Sequence, residues 1–442
     1  HAAIGQLGTI AAALEAAQVR DDLWQLADFK DADATLNPTV RRAIRARARY
    51  EVSNNPLVAR VIETWATDIV REDGPSLQID TGDETVNEMI EEAWARFWCD
   101  HNIAETLRTA VRAEAVDGEA LNLIKFTEDG PIVVGLEADR LGSPYWLANN
   151  TSDCIDGVRL DPVTQKAVSY EILRAHPGTE YIDKISAINQ FDPYPAGMVL
   201  HAFRRTRPEQ HRGCSRLTPV LTVSGQGRKY MEATVTREQL RAAFWVLYKS
   251  MAAGDDAVFA ETDWWQTMKL PGRAGLSMIL PEGVDPVALP KDSSPSDTEA
   301  FQRIIATQVA GCFNMPLLRA MGDGAANYAG VRAQMEPYHA TIQAERSLTW
   351  DTEWLRKLYR IWLMWFKAVR PDRKAANGAM VRIPWETLTL NKVEFRWPQR
   401  RLVVDPAREA SAKLDGLKMG ELTPELIADT NDISAHQERA AL

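Results

Sequence analysis

Asp117 and Glu119 stand on either side of Gly118, and two carboxylates at that spacing are the first residues in this chain that acid–base chemistry could use. With His201 as a proton carrier they make a hydrolase- or transferase-type site. Carboxylates flanking one glycine in a turn are, however, usually solvated. Other chemistry is harder to assemble. Gly225-x-Gly227 lacks the third glycine of a dinucleotide loop, because Tyr230 stands there, and Gly322-x-Gly324 fails in the same way at Asn327. No phosphate-binding GxxxxGK[ST] loop is present. The histidines at 1, 101, 176, 201, 211, 339 and 436 form no HxxxH or HExxH pair, so no helix-borne zinc site, and no cofactor, is expected. Gly213-Cys214-Ser215-Arg216-Leu217 begins like a nucleophile elbow but has Leu where the second glycine is required, so Ser215 reads as a helix cap. Cys99, Cys154, Cys214 and Cys312 are far apart, with no CxxC pair, which fits a reducing compartment.

These residues sit on a chain of 442 residues, 45% of them hydrophobic, enough for at least two cores. Its 51 Lys and Arg against 61 Asp and Glu give a net charge of −10, which argues against broad electrostatic adhesion to nucleic acid or anionic membrane. The longest strongly apolar run, Ile361 to Phe366, is far below the roughly 18 residues of a membrane span, so the chain reads as soluble. A start at His1 rather than Met is expected of a processed or trimmed middle of a longer product.

Helices come first. Residues 1–50 are Ala-rich and end in Arg41, Arg42, Arg45, Arg47 and Arg49, a run that suits a solvated helix face, an inter-subunit salt-bridge strip or phosphate contact. After Asn55-Pro56, Leu57, Val58, Val61, Ile62, Trp65 and Ile69 recur at helical spacing, as do Val86, Met89, Ile90, Trp94, Phe97 and Trp98. A third helix, Ile103 to Val116, ends at Asp117-Gly118. Short β-type runs follow at Ala120–Phe126, Ile132–Leu136, Val168–Leu173 and Met198–Phe203, with turn signals at Asp156-Gly157, Asp161-Pro162 and Asp192-Pro193, which predicts antiparallel hairpins. From Ser215 one helix is expected to about Met251, roughly 50 Å long, broken softly at Gly225 and Gly227. A small mixed module follows. A second helix covers about Ser296 to Phe313, and a third runs from Asn327, its N-cap, to about Val369 with a kink at Pro337. Its apolar face of Trp350, Trp354, Leu355, Leu358, Ile361, Trp362 and Trp365 reads as core. A β-like run, Val393 to Trp397, precedes a short helical tail. Between the second and third helices, the Pro/Gly-interrupted loop carries Met315, Leu317, Leu318 and Met321, which dock on their own subunit or meet a neighbour or a threaded ligand.

Taken in order, several of these segments resemble the portal proteins of tailed bacteriophages, closest to the lambda-like portal family. The pieces are Arg41 to Arg49 with Asn54-Asn55-Pro56, Asp117-Gly118-Glu119, Leu136-Glu137-Ala138-Asp139-Arg140-Leu141, and Ile155-Asp156-Gly157-Val158-Arg159-Leu160-Asp161. They continue with His201-Ala202-Phe203, Arg207-Pro208-Glu209-Gln210-His211-Arg212-Gly213-Cys214-Ser215, Asn327-Tyr328-Ala329-Gly330-Val331-Arg332, Trp397-Pro398 and Asp405-Pro406-Ala407-Arg408-Glu409-Ala410. The series spans about residues 40 to 432. Two places depart from the family pattern: Val70-Arg71-Glu72-Asp73-Gly74-Pro75 replaces a glycine-rich turn, and Asn327-Tyr328-Ala329-Gly330 replaces NYSS.

The resemblance implies an α+β, mainly α, portal fold with wing, stem, clip and crown, assembling as a ring, usually of twelve subunits, around a channel at one capsid vertex. It places the N-terminal part of the wing at 1–214, the stem helix at 215–251, the clip at 252–295, a second stem helix at 296–313, a tunnel loop at 314–326, a kinked tunnel and wing helix at 327–392, and the end of the wing with the start of the crown at 393–442. The implied role is structural: double-stranded DNA is packaged and ejected through the channel, with no enzymatic activity in the chain. Implied partners are the terminase large subunit, a head-completion or adaptor protein and the major capsid protein, with no membrane. The implied location is the virion, after assembly in the bacterial host cytoplasm. Trp264, Trp265, Lys269 and Arg273 would serve docking at the clip. Met315, Pro316, Leu317, Leu318, Arg319, Met321 and Asp323 would line the channel, the apolar four as a collar and Arg319 as the basic side chain near the DNA backbone. Lys291 to Tyr328 carries three basic residues (Lys291, Arg303, Arg319) and four acidic ones (Asp292, Asp297, Glu299, Asp323), a balance suited to sliding rather than gripping.

Overall fold

The computed structural model describes residues 29–128, 130–143, 154–181, 190–243, 247–250, 284–287, 295–322, 328–369, 372–374, 380–382 and 393–398, together with helical positions 411, 414, 415 and 418. Two compact units share the chain. The first comprises His1–Ala43, Asp139–Pro193 and Arg205–Gly213, and the second comprises Ile44–Ala138, Tyr194–Arg204 and Cys214–Leu442.

In the first unit, helix α1 (Ala32–Thr35) is capped by Asp31, whose side chain accepts from the Ala34 amide, and α2 (Pro38–Asn54) begins here and continues past the boundary. Beyond it lies an antiparallel sheet with the order β4-β5-β6-β7, formed by Cys154–Ile155, Val158–Leu160, Ala167–Leu173 and Phe191–Pro195. Asp156 and Gly157 both adopt positive φ (42° and 85°), the geometry of a two-residue hairpin turn whose twist matches its strands. A side chain at Gly157 would meet the Gly142 backbone at 2.7 Å. Asp161 makes the next turn by accepting from the Val163 and Thr164 amides, which hold its carboxyl below the usual range, Thr164 most strongly. Asp192-Pro193, expected as a turn, instead lies inside β7, whose extended backbone tolerates proline at a sheet edge. Leu141, Cys154, Val158, Leu160, Tyr170 and Ile172 form the small core.

The second unit is helical, with a central three-stranded sheet. Asn55 caps α3 (Pro56–Val70), accepting from the Leu57 amide, and Pro56 occupies the first helical position, where its missing N–H costs nothing. Asp83 likewise caps α4 (Glu84–Asp100), whereas α5 (Ile103–Asp117) stops at Gly118 with φ 90°, a left-handed C-terminal conformation that glycine adopts without strain. Each helix buries the stripe that its spacing predicts. β2 (Glu119–Thr127) is the centre strand between β3 (Gly130–Leu136) and β8 (Val199–Phe203), all antiparallel, and its first six residues are buried. β1 (Ser76–Ile79) pairs with β13 (Val393–Arg396), which brings residues 320 positions apart into register at Ser76 and Arg396.

The long helix is shorter than expected. α6 covers Leu221–Ala243, and the chain then enters β9 (Leu247–Ser250), paired with β10 (Val284–Val287), in place of helix up to Met251. Gly225 and Gly227 lie inside α6 without breaking it; a Cβ at Gly227 would sit 2.5 Å from Ile305 Cδ1, so this glycine lets α6 approach α7 (Pro295–Gly311) closely. A five-residue helix, α8 (Leu317–Met321), follows. The third long helix comes in three parts: α9 (Tyr328–Glu345) runs through Pro337, a π-helix occupies Arg346–Leu355, and α10 (Arg356–Val369) completes it. Short strands β11 (Asp372–Lys374) and β12 (Met380–Arg382) pair beyond it. The core is aromatic: Trp94 lies 5.2 Å from Trp362 and 5.6 Å from Tyr359, edge-on in both cases, and Trp65 lies 5.3 Å from Phe313. Among the described residues no helix is long and apolar enough to cross a membrane.

Candidate functional site

Arg41, Arg45 and Arg49 recur every four residues on α2 and so share a face. That face is enclosed at Arg41 and Arg45 and partly open at Arg49, which is 35% exposed. In the first unit Arg41 is buried against Asp156, which also accepts from Arg212 at 2.7 Å; Arg212 further donates to the Leu141 and Asp156 carbonyl oxygens at 3.1 and 2.5 Å. In the second unit Arg45 pairs with Glu119 and donates to the Asp117 carbonyl at 3.2 Å, and Arg49 forks onto both Asp117 oxygens at 2.7 Å. The other Glu119 oxygen lies 3.0 Å from His201 Nε2, and both side chains are 1% exposed.

This arrangement overturns the expectation of solvated carboxylates at Asp117 and Glu119. It also divides the arginine run, because Arg41 and Arg45 are consumed inside the protein, while Arg42 and Arg47 are exposed. Buried charges need partners, and here the spacing of arginines matches the spacing of acids. The acids, arginines and histidine that could have served acid–base chemistry are spent on one another.

A second cluster fixes the approach to α6. Arg216 shares its Nε–H between the two Glu114 oxygens at 3.0 and 2.9 Å and forks onto Glu345 through both terminal nitrogens at 3.0 and 2.8 Å, and its guanidinium lies 4.9 Å from the centre of the Trp65 ring. Burial works against the guanidinium charge, but the two carboxylates outweigh it and hold Arg216 above its ordinary pKa; Glu114 is pushed up by burial, and Arg216 pulls it back only in part. Ser215 Oγ accepts from the Leu217 amide and donates to the Ala115 carbonyl, so it caps the turn that precedes α6 rather than the helix itself. A Cβ at Gly118 would lie 2.3 Å from the Cys214 carbonyl carbon, so glycine is required where these strands of chain cross.

The segment expected to line a channel is third. Met315 is 5% exposed and belongs to the core; Leu317 and Leu318 are half-buried and Met321 is 38% exposed. Pro316 precedes α8 in an extended conformation, and Gly322 ends it with φ 76°. Arg319 does not project as an unpaired cation: Nε and NH2 reach the two Asp68 oxygens at 3.0 and 2.6 Å, with Tyr338 OH donating to Asp68 at 3.0 Å. The bond to Asp68 raises Arg319 above its usual pKa, and burial, then the Asp68 charge, push Tyr338 up so that it stays a donor. Nearby, Arg346 donates to the Ile69 and Asp68 carbonyls at 2.9 and 3.0 Å and stacks over Trp397 at 5.0 Å; Trp397 donates to Asp351 at 2.8 Å. Burial pushes the Asp351 carboxyl up to about 6.

Asp323, the expected cap Asn327 and the clip candidates Trp264, Trp265, Lys269 and Arg273 lie outside the described residues. Asp68, Glu114 and Tyr338 were not singled out from sequence, although a signal existed. Asp68 lies on the Val61–Trp65 stripe of α3 and Glu114 on the Leu107–Val111 stripe of α5, and an acid on an apolar face is a buried acid awaiting a partner.

The family model described as phage portal protein, lambda family, matches residues 20–346. No curated protein matches. Among solved structures, the neck of a native GTA particle computed with C12 symmetry is 13% identical with a TM-score of 0.47, covering 88% of this chain and 92% of that one. The virion of a native gene transfer agent particle is 13% identical with a TM-score of 0.46, covering 85% and 88%. An HK97 family phage portal protein from Corynebacterium diphtheriae is 12% identical with a TM-score of 0.35, covering 72% and 91%. On the family match, which takes in both units and the clusters around Arg45, Arg216 and Arg319, this chain belongs to the lambda family of phage portal proteins.

Proposed function

We propose that this chain is the repeating subunit of a portal ring at one capsid vertex, a channel through which double-stranded DNA is packaged and later ejected. The observation that carries this reading is the family match over residues 20–346. Twelve subunits, the usual number in the family, are expected. Within that plan α6 and α7 form the stem, 252–295 the clip, 314–326 the tunnel loop, 327–392 the tunnel and wing helix, and 393–442 the end of the wing and the start of the crown. Trp264, Trp265, Lys269 and Arg273 dock the terminase large subunit first and a head-completion or adaptor protein later, and the wing meets the major capsid protein.

A conduit for a whole genome must not grip it, because each Lys or Arg that neutralises a phosphate releases counterions and adds affinity. The pairing of Arg319 with Asp68 supports low adhesion, and Leu317, Leu318 and Met321 form the apolar collar, with Pro316 and Asp323 at its edges. The alternative, an enzyme working through Asp117, Glu119 and His201, has no observation in its favour, since these groups are buried in ion pairs with Arg49 and Arg45. Native mass spectrometry and negative-stain imaging of the purified protein test the proposal: closed rings with a central hole are expected, and a stable monomer with substrate turnover would overturn it.

A further inference from the structure

Asp68 lies in the last turn of α3, where the negative end of the helix dipole disfavours a carboxylate, and its side chain is 11% exposed. Both disadvantages are offset by a single set of contacts. Arg319 of α8 forks onto both oxygens, Tyr338 of α9 donates to one of them, and Arg346 of the π-helix takes the two carbonyls at the end of α3. Three consecutive elements therefore converge on one residue. Arg319 holds α8 by one forked, charge-assisted pair, although its own side chain is 41% exposed.

We propose that Asp68 and Arg319 are positioning residues that fix α8 on the end of α3, and that Arg319 acts through Asp68 rather than as a contact to DNA phosphate. With its charge and two of its five N–H groups given to one carboxylate, the guanidinium presents no net positive charge to a second anion, and the paired carboxylate repels phosphate. The collar residues Leu317 and Leu318 then take their position from α3 as well as from the stem. The channel half of this inference rests on the proposed function above; the tether itself does not.

Two measurements on the full-length assembled protein separate these. Hydrogen exchange is read at the amides of Arg319, Ala320 and Gly322, which bond the carbonyls of Pro316, Pro316 and Leu318. Arg319→Gln and Asp68→Asn, both close in shape to the residues they replace, are each expected to speed exchange there on the order of tenfold. The double variant is expected to be no faster than the faster single, with α5 amides unchanged as a control for global unfolding. Tyr338→Phe gives a smaller increase. Unchanged exchange in Arg319→Gln, or single effects that multiply in the double variant, would overturn the tether. Genome retention by particles carrying the same variants is the second measurement. Equal losses for Arg319→Gln and Asp68→Asn support positioning, and a loss for Arg319→Gln alone identifies a phosphate contact and overturns it. Accelerated exchange with retention intact in both variants supports the tether and refutes the channel reading.

Discussion

Replacing Arg216 by Met should be among the most damaging single changes in the chain, and the geometry says by how much. The Arg216 side chain is 3% exposed and Glu114 is 1% exposed, so the variant leaves an enclosed carboxylate without its hydrogen-bonded counter-charge, Arg204 acting only through its field. Removing one partner of such a pair costs about 3–5 kcal/mol. Loss of the guanidinium over Trp65 adds about 1 kcal/mol. Together these are about 4–6 kcal/mol, and at about 2–4 °C per kcal/mol for a large domain the melting temperature should fall by roughly 8–24 °C. Two further measurements identify the cause. Adding Glu114→Gln to the variant removes the stranded charge and should restore about 1–2 kcal/mol, so a urea-denaturation cycle should show the pair of changes to be milder than their sum. Acidification should help as well. Glu114 already has its folded pKa raised by burial, and without Arg216 it must rise further. A carboxyl with a folded pKa above its unfolded value binds more protons in the folded state, so its unfavourable contribution grows as pH rises through that interval and fades as pH falls. The gap between wild type and Arg216→Met should therefore narrow from pH 7 toward pH 5. A cost below about 1 kcal/mol, or a double variant worse than the sum of its parts, would refute the reasoning.

Three other outcomes follow from the same structure. Burial pushes the Asp351 pKa up to about 6 although the Trp397 hydrogen bond favours the carboxylate, so the fold as a whole should gain stability as pH falls through that value; Asp351→Asn should flatten the dependence in tryptophan fluorescence followed against urea at pH 5 and 7.5. Gly118→Ala combines a φ of 90° with a backbone contact at 2.3 Å and should fail to accumulate as folded protein, whereas Gly82→Ala, with φ 83° but open space, should cost only about 1 kcal/mol by thermal melting. Gly227→Ala presses on the flexible end of Ile305 and should cost about 1–3 kcal/mol, with Ile305→Val recovering part of the loss in the same assay.

Local chemistry was legible in the sequence. Asn55-Pro56 marks the start of α3, Gly118 the end of α5, and Asp156-Gly157 the tightest hairpin, because caps and turns depend on a few adjacent residues. The antiparallel hairpins, the helical stripes and the family resemblance followed from the same kind of signal. What escaped depends on distant partners. A four-residue repeat of arginines has the same spacing whether it faces water or Asp117 and Glu119, which lie 68 and 74 positions from Arg49 and Arg45. The end of α6 at Ala243 has the same cause, since Leu247–Ser250 becomes a strand only by pairing with Val284–Val287. The burial of Met315 and the engagement of Arg319 by Asp68, 251 positions away, required the tertiary structure.

The π-helix at Arg346–Leu355 makes the chain tolerant of a change in length at this point and intolerant of one just beyond it. Bonds from i to i+5 widen each turn, so every residue here turns the path by less than the roughly 100° of an α-helix. Deleting one residue and restoring regular winding are therefore opposite in sign, and Trp362 on α10 would stay near Trp94 and Phe97. The same deletion inside α10, which is wound regularly from Arg356, has nothing to absorb it and would turn everything after it by about 100°. A one-residue gap is thus a local repair in the π-helix and a change of phase in the helix that follows it.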